Sequence, residues 1–112
     1  MNTNKLLMEM GISPDVVGYH YLADAINARK EMVANGNVAY KFTDLYADVG
    51  KKFNCKATNV ERTMRHAVEG AFKHGNDALC KIFRPMIKNQ SGKVTVACFI
   101  GTLAEYLIME EN

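Results

Sequence analysis

Arg62, Arg65, His66, Glu69 and Lys73 collect on one side of a helix drawn through residues 58–74 with 3.6 residues per turn. Guanidinium, imidazole and ammonium groups in such a row suit the phosphates and base edges of a nucleic acid, provided a core holds the helix that carries them. The opposite side supplies that anchor: Val60, Met64, Ala67, Val68 and Ala71 form an apolar face to bury. Just upstream, Leu45, Val49 and Phe53 recur at spacings of four and predict a shorter amphipathic helix. Two such helices joined by a tight connector outline a helix-turn-helix over about residues 43–74, with the second helix in the position of a recognition helix.

The boundaries agree with this outline. Thr58, followed three residues later by Glu61, reads as a capping box that starts the second helix near Thr58. Asn54 follows the last apolar residue of the first helix and tolerates the left-handed conformation that ends helices. Gly50 leaves room for two helices to cross closely. The same layout also serves helical hairpins that never touch DNA. Glu61 is spaced to pair with Arg65 at i, i+4, which is worth ~0.2–0.5 kcal/mol. Arg65 and Glu69 have the same spacing, so Glu69 reads as a structural partner rather than a base reader. Lys56 and Lys52, beside the turn, are the lysines placed for phosphate contacts; Lys51 and Lys73 read as surface lysines. His20 and His74 lack ligand partners and read as structural or exposed.

Charge follows the same segment. Residues 51–93 hold 10 of the 14 basic side chains and 3 of the 12 acidic ones, whereas residues 1–50 hold 4 and 6, and residues 94–112 none and 3. A local positive field attracts a polyanion and supplies the sequence-independent part of nucleic-acid affinity; on its own it also fits a solvated charged face. At 112 residues the chain accommodates one domain with a modest core. No run of about 18 apolar residues and no secretory leader is visible, so a cytoplasmic protein without a membrane partner is expected. Cys55, Cys80 and Cys98 are odd in number and widely spaced, which argues against a disulfide framework or zinc site, and no cofactor is expected. Neither a phosphate loop nor a nucleophile with a base partner is present, so an enzyme is not expected. The seven methionines suit a helical core.

The expected architecture is all-α, a single domain of about six helices near residues 3–10, 14–34, 43–53, 58–74, 77–83 and 96–109, with no clear strand. Ser13 and Pro14 cap and begin the second, and Asn35-Gly36-Asn37 stops it. Val17, Tyr21, Leu22, Ala25 and Ile26 form its core-facing stripe. Gly75 closes the fourth helix, and Asn76 or Asp77 caps the fifth. Residues Arg84 to Val94, polar and basic with a proline and a glycine, predict the one long loop. Val96, Phe99, Ile100, Leu103 and Leu107 share a face of the last helix, which packs as a structural element or a dimer contact.

Three strings, GYHYLADAI (18–26), LYADVGKKFN (45–54) and above all VERTMRHAVEGAFKHGN (60–76), carry a resemblance to the C-terminal DNA-binding domain of the sporulation stage-zero response regulator. The likeness runs from about residue 5 to residue 107 and is weakest after Phe83. It implies a six-helix domain that binds a short promoter box in double-stranded DNA, with tandem copies side by side and RNA polymerase as a further partner. It also implies base reading by Glu61, Arg62 and Arg65, with His66 near the phosphates; arginine can grip guanine bidentately and glutamate can accept from cytosine. The expected DNA-facing set is therefore Lys56, Thr58, Asn59, Glu61, Arg62, Arg65 and His66. Asn59 departs from the family, which usually has arginine there. The family's K-P-T-N-S-E-F becomes Lys93-Val94-Thr95-Val96-Ala97-Cys98-Phe99, losing its proline and acidic residue, so the resemblance does not by itself imply contacts with polymerase or a second copy in that region. These residues hold no counterpart of the family's receiver domain, and the chain reads as an excised effector domain or a stand-alone relative. The competing reading is an interaction module that pairs with a full-length regulator without reading DNA.

Overall fold

The computed structural model describes residues 2–89 and 93–111, with the backbone alone for residues 87–89. Six helices follow in order: α1 (Thr3–Glu9), α2 (Val17–Ala34), α3 (Phe42–Phe53), α4 (Ala57–His74), α5 (Asp77–Asn89) and α6 (Val96–Glu111). The chain is an all-α single globule, as expected, with principal extents of 33 × 30 × 27 Å and no strand among the described residues.

The core forms where the helical stripes meet. Leu6 and Leu7 of α1, Leu22 and Ile26 of α2, Leu45 and Val49 of α3, and Val60, Met64 and Val68 of α4 are all buried. The apolar face of α6 is spent in the same place: Val96, Phe99, Ile100, Leu103 and Leu107 are buried, and only Met109 among its large apolar side chains is exposed. The last helix is therefore a core element, and the five residues that share its apolar face are buried within the chain.

Several boundaries differ from expectation for identifiable reasons. At the head of α2, Ser13 and Pro14 form a turn of their own: Ser13 Oγ accepts from the Asp15 amide and the Val16 amide donates to the Ser13 carbonyl. Val16 is then extended (φ −92°, ψ 134°) and becomes the N-cap, so the helix starts at Val17. Val17 is left exposed, and Tyr19 takes a buried place that the stripe did not assign to it.

The loop expected from Arg84 is helix as far as Asn89. Pro85 interrupts one hydrogen bond, but Pro85 and Lys81 are both exposed, so the Lys81 carbonyl that loses its partner faces water. Leu79 and Phe83 are buried on the inner side, each worth about 1.5–3 kcal/mol, and this packing outweighs the local cost. Lys93–Thr95 are non-helical; the intervening part of the expected loop, residues 90–92, lies outside the described residues. The cap of α5 is as expected: Asn76 Oδ1 accepts from the Leu79 amide, and its Nδ2 donates to the Glu9 carbonyl at the end of α1.

Candidate nucleic-acid interface

The connector between α3 and α4, residues 54–56, takes its shape from Asn54 and Gly50. Asn54 adopts the left-handed conformation (φ 56°, ψ 52°), and the next amide, of Cys55, donates to the Gly50 carbonyl at 2.8 Å. A β-carbon on Gly50 would collide with the Cys55 carbonyl oxygen, so the room that Gly50 leaves is filled by the turn itself rather than by another helix.

Helix α4 is held at two levels. Near its middle α2 crosses at backbone contact distance, since a β-carbon on Gly18 would lie 2.9 Å from the Thr63 carbonyl oxygen. Toward its C-terminus Phe72 meets Phe83 of α5 and Phe99 of α6 edge-on, while those two rings stack with centroids 5.2 Å apart. Burial of Val60, Met64 and Val68, at about 1.5–3 kcal/mol each, exceeds anything surface ion pairs contribute, so the apolar face decides how α4 sits.

The other side of α4 is thereby turned outward. Thr58, Asn59, Arg62, Arg65, His66, Glu69 and Lys73 are exposed, and Glu61 is half-buried at the edge. Thr58 is not the cap. The helix begins one residue earlier, at Ala57, with Lys56 extended as N-cap (φ −72°, ψ 146°) and no side chain bonded to the first turn. Thr58 sits inside that turn, where its hydroxyl cannot serve the N3 amide, and Glu61 turns instead to Arg65, whose Nη1 donates to both carboxylate oxygens at 2.7 and 3.2 Å. The expected Arg65–Glu69 pair is not among the ion pairs of the described residues, because Arg65 has turned toward Glu61. Arg62 Nη2 donates to Asn59 Oδ1 at 2.5 Å. Lys52 pairs with Asp24 of α2 at 2.6 Å, whereas Lys56 stays exposed beside the turn.

Two hollows flank the basic face. One of about 500 Å³ brings Thr43 and Tyr46 of α3 against Thr58, Glu61, Arg62 and Arg65. The other, of about 520 Å³, brings Lys93 and Thr95 against Arg65 and Glu69. Tyr46 lies in the string 45–54 but outside the apolar spacing of α3, and neither showed that it would stand beside Glu61. Burial, then the nearby Glu61 carboxylate, pushes its hydroxyl pKa up to about 12.

Among the described residues no group of three or more His, Cys, Asp or Glu is placed to hold a metal, the three cysteines are free thiols, and no helix is long and apolar enough to cross a membrane. What the fold does present is a short helix, a turn pinned by a left-handed asparagine, and a long helix with a buried apolar face and an exposed basic one. That is a helix-turn-helix of the kind DNA-binding proteins use. Residues 3–107 match the family described as sporulation initiation factor Spo0A C terminal, and the chain belongs to it. The family is the DNA-binding effector domain of a sporulation transcription regulator, in agreement with the resemblance carried by residues 60–76.

Proposed function

We propose that the protein binds double-stranded DNA sequence-specifically, with α4 in the major groove, as a regulator of transcription acting in the cytoplasm on a short promoter box. Glu61, Arg62 and Arg65 face base edges in this reading. His66, Lys56 and Thr58 lie toward the phosphates, and Asn59 stands at the leading end of the helix. Two copies bind tandem boxes, and RNA polymerase is the further partner the family suggests. One observation carries the reading: Arg62, Arg65 and His66 stand exposed on a helix whose opposite residues Val60, Met64 and Val68 are 0–1% exposed. The side chains of one face are thus accessible to a partner while the other face fixes the helix that carries them. The basic segment 51–93 adds the general attraction for phosphate.

The test is a fluorescence titration of the protein against the family's promoter box, with a scrambled duplex of equal length as control. Tighter binding to the box by tenfold or more at ~0.15 M salt supports base reading, since specific and non-specific affinities differ by at least about 10³ in well-characterised cases. Equal binding to both duplexes leaves a charge-driven or partner-directed role.

A further inference from the structure

We infer that Asn59 is a positioning residue for Arg62: it holds the guanidinium toward the base beneath the leading end of α4 and so sharpens the preference there for a base with adjacent acceptors. The inference rests on the DNA-binding reading above and deepens it. Arg62 Nη2 lies 2.5 Å from Asn59 Oδ1, one turn earlier on α4. A guanidinium has five N–H donors and no acceptor, so the amide atom it meets has to be the oxygen. That contact uses one of the two lone pairs of the Asn59 oxygen and ties the amide to Arg62.

The partner is also neutral. Arg62 therefore keeps its full charge and four of its five donors while its rotamer is restrained, in contrast to Arg65, whose charge is matched by the Glu61 carboxylate. Both Asn59 and Arg62 are exposed, so the unit faces a ligand without prior rearrangement of the fold. A side chain already held in place loses less freedom on binding. Guanine offers O6 and N7 as adjacent acceptors and satisfies two donors at once. Thymine O4 and adenine N7 satisfy one, and the cytosine amino group opposes donors with a donor. Asn59 is thus a positioning residue that acts through Arg62 to set specificity.

The experiment has two arms, both on the full chain. In the DNA-free protein, NMR relaxation of the Arg62 Nε–H group is compared between wild type and Asn59→Ala. Its order parameter is expected to fall in the variant while that of Arg65 stays the same. An unchanged Arg62 overturns the positioning role. In the second arm, competition titrations place each of the four bases at every position of the promoter box. Wild type should prefer guanine at one position by on the order of tenfold, and Asn59→Ala should lose most of that preference with an unaltered salt slope. Asn59→Asp, which supplies a second acceptor oxygen, should regain tolerance of cytosine or adenine there. A wild-type profile with base preferences that Asn59→Ala leaves intact overturns the inference and spares the DNA-binding reading. A flat wild-type profile overturns both.

Discussion

A β-carbon on Gly18 would lie 2.8 Å from the β-carbon of Ala67, so α2 and α4 meet at a distance that only a glycine on α2 permits. The orientation of the basic face of α4 follows from this crossing, because α2 is the helix that α4 rests against at the level of Thr63 and Ala67. In an open helix the change Gly18→Ala would stabilise by about 0.5–1 kcal/mol. Here overpacking wins, and the variant should lose ~1–3 kcal/mol in urea unfolding. Its affinity for the promoter box should fall as α4 is displaced. A variant more stable than wild type would show that the crossing yields freely.

The turn makes a paired prediction. Asn54 has positive φ, which costs an ordinary L-residue about 1–2 kcal/mol and glycine almost nothing. Asn54→Gly should therefore stay within a few tenths of a kcal/mol of wild type, and Asn54→Ala should lose about 1 kcal/mol in the same urea titration. Gly50→Ala, which drives a β-carbon into the Cys55 carbonyl, should be worse than either. Equal stability of the two Asn54 variants would remove the conformational argument.

Arg65 and Lys56 separate base reading from charge. Arg65→Ala should cost ~1–3 kcal/mol on the promoter box and much less on scrambled DNA. Lys56→Ala should weaken both duplexes alike and lower the salt-dependence slope by about one. Losing the Glu61 pair should cost the free protein no more than ~0.5 kcal/mol, so circular dichroism should be native in both. An equal loss on both duplexes for Arg65→Ala would reduce that residue to part of the positive field.

Tyr46 predicts an alkaline limit. Its folded pKa of about 12 lies above the ordinary value of 10.0, the neutral hydroxyl being favoured by burial and by the Glu61 carboxylate. Above pH 10 the unfolded chain releases this proton while the folded one keeps it. The contribution of Tyr46 to stability is thus fully present below pH 10 and is lost as pH rises toward 12. Unfolding free energy measured from pH 9 to 12 should fall less steeply in Tyr46→Phe than in wild type. Identical slopes would refute the assignment.

The thiols should be silent. Cys55, Cys80 and Cys98 are unpaired, and no metal-binding cluster occurs among the described residues, so a reductant or a zinc chelator should leave helicity and DNA affinity unchanged. A large loss of helical signal with chelator is the contrary result.

What could be read from the chain alone was local. The six helices, the two faces of α4, the halt at Asn54 and the Asn76 cap depend on a 3.6-residue period or on bonds that span a few residues, and these are written in neighbouring side chains. The family string at residues 60–76 was legible for the same reason, being contiguous. Other features required the assembled fold. Lys52 turned to Asp24, 28 residues away, a competitor that no count of charges beside the turn contains. Arg65 had carboxylates at i−4 and i+4, and spacing alone did not choose Glu61. Thr58 satisfied a capping pattern, yet the helix began at Ala57. Helix α5 ran through Pro85 because Phe83 had a stack to enter on Phe99, and Gly18 acquired its role only when α4 arrived against it. The run of α5 through Pro85 and the close α2–α4 crossing were set by atoms distant in sequence, whose packing energies exceed the few tenths of a kcal/mol by which local alternatives differ.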